Sequence, residues 1–225
     1  MTDTPASEAR RVRLRHVWRV LTLQRRLAKA QAKREFRAAV AALTPDDVAI
    51  DLGANVGRFT RPMAERGAQV YAFEPDPHAF GLLQVAMRGY PNVTLIAAAA
   101  GDAEGTITLH RHADFAAAPD SRTKSSSIIA AKANVAGGQG VPVRLVDFPR
   151  FVAGLNRDVA LLKIDIEGAE VPLMEALLAH PVAARIARIF VETHERGIPQ
   201  LARRTDALRA ASRGLAQPRV NWNWH

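Results

Sequence analysis

Three short stretches of this chain hold residues whose types and spacing permit chemistry. LLKIDIEGAE places Asp165, Glu167 and Glu170 just past an apolar run, and VETHE places Glu192, His194 and Glu195 past another. Carboxylates grouped with a histidine can take a proton from an acceptor hydroxyl, with His194 or Asp165 as the general base and Glu192 beside them. The same oxygen and nitrogen set, Asp165, Glu192 and His194, can instead hold a divalent ion such as magnesium or manganese that acidifies the acceptor. The reading adopted is base catalysis, with no metal ligand assigned. The third stretch is IDLGANVG, residues Ile50 to Gly57. Its Gly53 and Gly57 let the backbone turn tightly and approach a ligand with no Cβ in the way. Asn55 is a residue that tolerates positive φ better than most.

The glycine spacing excludes two ligand classes. A dinucleotide loop of the form G-x-G-x-x-G would need glycines at positions 55 and 58, which are Asn55 and Arg58. No G-x-x-x-x-G-K-[ST] phosphate loop is present either. The loop is therefore suited to a nucleoside without phosphates. Glu74 in FEPDP follows Asp51 by 23 residues and stands at the end of an expected strand. A carboxylate there can accept hydrogen bonds from both hydroxyls of a ribose. Asp102, in AAAAGD, follows the next strand and can accept from an exocyclic amino group of a base.

These side chains need elements to bring them together. Short apolar runs without clean alternation predict strands buried on both faces at Val48–Leu52, Gln69–Phe73, Val93–Ala98, Ala160–Asp165 and Arg188–Glu192. Helical patterns fall between them at 57–66, 77–89, 169–179 and 198–212. Strands alternating with helices imply an α/β fold with a mostly parallel sheet, whose carboxyl edge collects the loops that carry the motifs. Thr106–Arg111 and Val141–Val146 read as an antiparallel pair flanking a long polar stretch that contains Ser125, Ser126 and Ser127. Such a loop suits a substrate contact or a lid. Ala216–His225 reads as a single closing strand with Trp222 and Trp224 on one face.

From Ser7 to Leu43 there is neither glycine nor proline, and Leu14, Val17, Trp18, Leu21, Ala28 and Phe36 recur at helical spacing. The expected organisation is a basic helical extension, 1–44, and a catalytic domain, 45–225. Charge follows the same boundary. Residues 1–40 hold 11 Lys and Arg against 3 Asp and Glu, whereas the remainder holds 20 against 19. All but one unit of the net charge of +9 thus belongs to the extension, and it argues little for a nucleic-acid partner of the body. The extension suits packing over the active-site edge, homodimer formation, or contact with an anionic surface. Absence of cysteine excludes disulfides, thiolate nucleophiles and cysteine-bound zinc. With no long apolar run and no secretory pattern, a cytoplasmic location is expected.

Taken in order, IDLGANVG, FEPDP, AAAAGD, SSSI, LLKIDIEGAE and VETH resemble the FkbM-type family of class I S-adenosylmethionine-dependent methyltransferases, over about residues 46–195. The resemblance implies a Rossmann-like sheet of six to seven strands with helices on both faces. It also implies methylation, usually of a hydroxyl oxygen, on a small-molecule or carbohydrate acceptor rather than nucleic acid. By motif match, Asp51, Gly53, Asn55 and Gly57 would line the methionine and ribose side, Glu74 the ribose, and Asp102 the adenine. RNA methylation and a non-catalytic binding role are the competing readings. No Asn/Asp-Pro-Pro-aromatic motif of amino-group methyltransferases occurs.

Overall fold

A computed structural model describes residues 5–110, 140–194 and 201–224, with side chains from residue 23 onward. Ser125, Ser126, Ser127 and Glu195 lie outside the described residues, and Leu14, Val17, Trp18 and Leu21 outside the described side chains.

The expected strands assemble into one main sheet. Its members are β1 (Val48–Leu52), β2 (Gln69–Phe73), β3 (Val93–Ile96), β7 (Val159–Ile164), β8 (Ile186–Val191) and β9 (Arg219–Asn221). Their order is β3-β2-β1-β7-β8-β9, and every neighbouring pair is parallel. A second, smaller sheet joins β4 (Ala99–Gly101), β6 (Gly140–Asp147) and β5 (Gly105–His110), with β5 and β6 antiparallel as the sequence suggests. The run Val93–Ala98 is not one strand. The chain turns sharply where the Ala98 amide donates to the Ile96 carbonyl (2.9 Å), and β4 leaves for the second sheet.

Alternation along the central strands sends side chains into two cores. Ile50, Leu52, Leu162, Ile164 and Ile189 pack on one face against α4 (Phe148–Gly154) and α5 (Glu170–Ala179). Ala49, Val70, Leu161 and Phe190 face the other way, onto α1 (Pro5–Ala41) and α2 (Thr60–Glu65). Ala32, Phe36, Ala39 and Val40 of α1 are buried there, so the last turns of the basic helix belong to this core. α3 (Pro77–Ala86) starts where the FEPDP sequence says it should. Asp76 caps it by accepting from the amides of His78 and Ala79, and Pro77 occupies its first turn.

α6 (Ala202–Ser212) leads into β9, which is only three residues long. The expectation that Trp222 and Trp224 share a face is corrected: Trp222 enters the first core and Trp224 the second. Both lie beyond the strand, where Asn221 Oδ1 accepts from the Asn223 amide (2.9 Å) and bends the chain out of alternation. Among the described residues no helix is long and apolar enough to cross a membrane.

Candidate active site

At the carboxyl ends of β1, β2, β7 and β8 lies a cavity of about 460 Å³, lined by Gly53, Asn55, Glu74, Asp165, Glu167 and Glu192 among others. The glycine loop forms its floor. Gly53 has φ +74°, and a Cβ there would fall 1.8 Å from the Asp165 carbonyl oxygen, so β1 and β7 can close on each other only around glycine. Asn55 takes the positive φ its residue type permits, +49°. Gly57 is favoured by its backbone, φ +85°, since a Cβ would press mainly on the movable end of Met87, Cε at 2.8 Å.

Two motif residues of the loop sit behind the cavity rather than in it. Gly57 is turned against α3, and Asp51 is fully buried beneath the loop. Asp51 Oδ2 accepts from Thr60 Oγ1 (2.7 Å), while Oδ1 lies 3.0 Å from Lys163 Nζ, an ion pair without hydrogen-bond alignment. The β1–β7 register sets Asp51 beside Lys163. Lys163 also donates to the carbonyls of Leu52 (3.1 Å) and Gly53 (2.7 Å). Its ammonium sits below the rings of Phe59 and Trp224, at 5.5 Å and 5.9 Å from their centroids. Burial alone would lower its pKa, but Asp51 and Asp165 outweigh that and raise it, so the lysine is charged. Lys163 is therefore the post that fixes the loop, a role its position in an apolar run does not announce.

Glu74 points into the cavity from the end of β2. Its Oε2 accepts from the Asn55 amide and its Oε1 from the Asp76 amide, both at 2.8 Å. Each oxygen keeps a lone pair for a further donor. Burial is the largest influence on it and pushes its pKa up to about 7, against the lowering effect of those two amides. Asp102 does not join this group. It is exposed in the turn after β4, because the chain has already left the main sheet, and Ala98, Ala99 and Ala100 line the cavity in its place. Lys33 of α1 and Trp224 complete the lining; neither belongs to a recognisable motif.

The β7 and β8 ends meet at the cavity wall, where Asp165, Glu167 and Glu192 are lining residues and His194 and Glu170 are not. His194 Nδ1 lies 2.9 Å from Glu170 Oε1, and Nε2 lies 3.4 Å from Glu167 Oε2 and 4.0 Å from Asp165 Oδ1. Glu170 is almost fully buried and is anchored by the amides of Ile166 (3.0 Å) and Gly168 (2.9 Å). To present its carboxylate, Glu167 adopts φ +58°, the left-handed region. Burial disfavours the imidazolium, but Glu170 first, then Glu167 and Asp165, reverse this and lift the His194 pKa to about 9. One ligand atom each from Asp165, Glu170 and His194 lie within 4.8 Å of one another, which is also compatible with a cation. Glu192, the third residue of the metal alternative, lines the cavity instead.

The family model described as the methyltransferase FkbM domain matches residues 51–214. The ribosomal RNA small subunit methyltransferase A of Thermotoga maritima is 39% identical over 85 residues, covering 37% of this chain and 28% of that protein. Its counterpart in Leuconostoc citreum is 37% identical over 57 residues, 25% of this chain and 19% of that one. The matched segments thus span well under half the length of these relatives. Two solved structures share local likeness: P. horikoshii TYW2 in complex with MeSAdo, at 24% identity, and the 23S rRNA methyltransferase ErmE, at 29%. Both have a TM-score of 0.26 and cover 28% of this chain, with 25% and 27% of their own lengths matched.

Proposed function

Given that the chain belongs to the methyltransferase FkbM domain family, we propose that it transfers a methyl group from S-adenosylmethionine to a hydroxyl oxygen of a small-molecule or carbohydrate acceptor. The observation that carries the acceptor chemistry is the Glu170–His194 pair, whose Nε2 is turned toward Asp165 and Glu167 at the cavity wall. S-adenosylmethionine, when bound, supplies an activated methyl on a sulfonium and leaves as the neutral thioether.

The residues present fit that donor. Glu74 has a free lone pair on each oxygen for the ribose hydroxyls, and the Gly53 turn leaves the cavity floor without side chains. Lys163 and Asp51 hold this floor from below. On the acceptor side, Glu170 fixes Nδ1 and leaves Nε2 as the proton acceptor, an arrangement that orients a histidine base. The acceptor oxygen gains the methyl, its proton passes to His194 Nε2, and Asp165 and Glu167 stabilise the resulting imidazolium. In-line approach of the oxygen to the methyl is a matter of positioning, which the rigid strand ends supply.

Transfer of isotopically labelled methyl to a panel of hydroxyl acceptors, sugars included, tests this. Incorporation into hydroxyl compounds is expected, and incorporation confined to RNase-sensitive material would overturn it. That second outcome defines the RNA reading, which the curated relatives favour. It is opposed by the near-neutral body and by the missing Asn/Asp-Pro-Pro-aromatic motif.

A further inference from the structure

We infer that a second cleft, at the β9 edge of the main sheet, is an oxyanion site that holds a phosphate group carried by a small-molecule or carbohydrate acceptor. This cleft of about 670 Å³ is lined by Arg188 of β8, Arg219 of β9, Arg209 of α6 and Arg213 at the C-terminal cap of α6. Parallel register sets Arg188 directly beside Arg219. Like charges in that relation repel unless an anion lies between them. Among the described residues, Arg188, Arg213 and Arg219 make no side-chain hydrogen bond or ion pair. The one carboxylate in the lining is Glu35 of α1, whose oxygens accept from amides rather than from the guanidinia, while Arg209 pairs with Asp206 outside the lining (3.1 Å). Asn221 Nδ2 donates to Oε2 (2.7 Å) and Gln31 Nε2 to Oε1 (2.8 Å).

Charge and shape select the ligand class. A guanidinium presents a planar fork that matches the oxygens of a phosphate, and several in one cleft favour a group of more than one negative charge. The guanidinia are gathered in one bounded cleft, which suits a single phosphate group. One hydrogen bond links the cleft to the segment that carries His194. Arg209 Nη2 donates to Thr193 Oγ1 (3.3 Å), between Glu192 and His194, and Phe190 of the cleft wall packs edge-on against Phe36 at 5.2 Å. Assigning the phosphate to the acceptor rests on the transfer reading; the capacity of the cleft to bind phosphate does not.

Calorimetric titration of the full chain with inorganic phosphate, glucose 6-phosphate and a short single-stranded RNA tests the assignment. The R188Q/R219Q variant and S-adenosylhomocysteine serve as controls. Saturable phosphate binding is expected, weakened roughly ten- to hundredfold in the variant, with S-adenosylhomocysteine affinity unchanged. Glucose 6-phosphate should bind more tightly than phosphate, while glucose should not bind. Without phosphate the variant should melt at a higher temperature than the parent, since a like-charge pair has been removed. Equal phosphate affinity in parent and variant, a lower melting temperature in the variant, or preference for RNA would each overturn the proposal. The R213Q variant, changed only on the exposed helix flank, should lose part of the phosphate affinity; undiminished binding would count against the cleft. If S-adenosylhomocysteine fails to bind, the transfer reading falls while the phosphate result stands.

Discussion

His194 shows how environment, more than identity, sets what a residue can do. With a pKa near 9, it is the imidazolium at neutral pH, and it must lose that proton before it can accept another. The rate constant kcat/KM should therefore climb with pH and level off above about 9, and E170Q should move that limb downward. H194Q should lower kcat by about 10²–10⁴, with S-adenosylmethionine affinity preserved. A pH–rate series on the three proteins checks all of this. Activity should persist in a chelator; its loss and recovery on adding magnesium would hand the site to a cation. The raised pKa also stabilises the fold below pH 6.5, and that contribution disappears as pH rises through about 9, which denaturant titrations across this window would register. Glu74 works in the opposite sense for the donor. Its pKa of about 7 leaves it mostly protonated at pH 6, whereas ribose hydroxyls donate best to the carboxylate. Donor affinity should rise roughly tenfold between pH 6 and pH 8, with proton release visible by calorimetry in buffers of different ionisation enthalpy.

At the scale of elements, the β1–β7 pair is the part on which the site depends most. Lys163 and Asp51 are neighbours in register and both are buried, so removing one strands the charge of the other. K163M should cost about 3–5 kcal/mol, and the added change D51N should recover part of it; urea melts of the single and double variants measure the coupling. The strands and their order of motifs were legible because two-sided burial leaves an unmistakable apolar signature, and Asn55 and Gly53 announced their own backbone angles. Lys163 carried a weaker signal: a lysine inside VALLKID must find a buried partner, but only the pairing register reveals that it is Asp51. The exposed position of Asp102 is hidden from the sequence for a related reason. Nothing in the run VTLIAAAAG marks the point at which the chain exchanges one sheet for another.

Across the whole molecule, distant segments close the cavity. Lys33 of α1 and Trp224 line it, and Phe36, Phe59, Phe190 and Trp224 form one aromatic cluster, with Phe36–Phe59 at 5.5 Å and Phe59–Trp224 at 4.9 Å. No local pattern could have joined these positions, since their meeting is a product of packing alone. Phe36→Ala should therefore destabilise the fold by about 3–5 kcal/mol and also weaken donor binding. The position of Trp224 has an optical consequence. Its indole forms part of the cavity wall and lies over a charged ammonium, so its emission should respond to whatever fills the space beside it. Subtracting the spectrum of a W224F variant would isolate that response and turn occupancy of the site into a signal readable without any label.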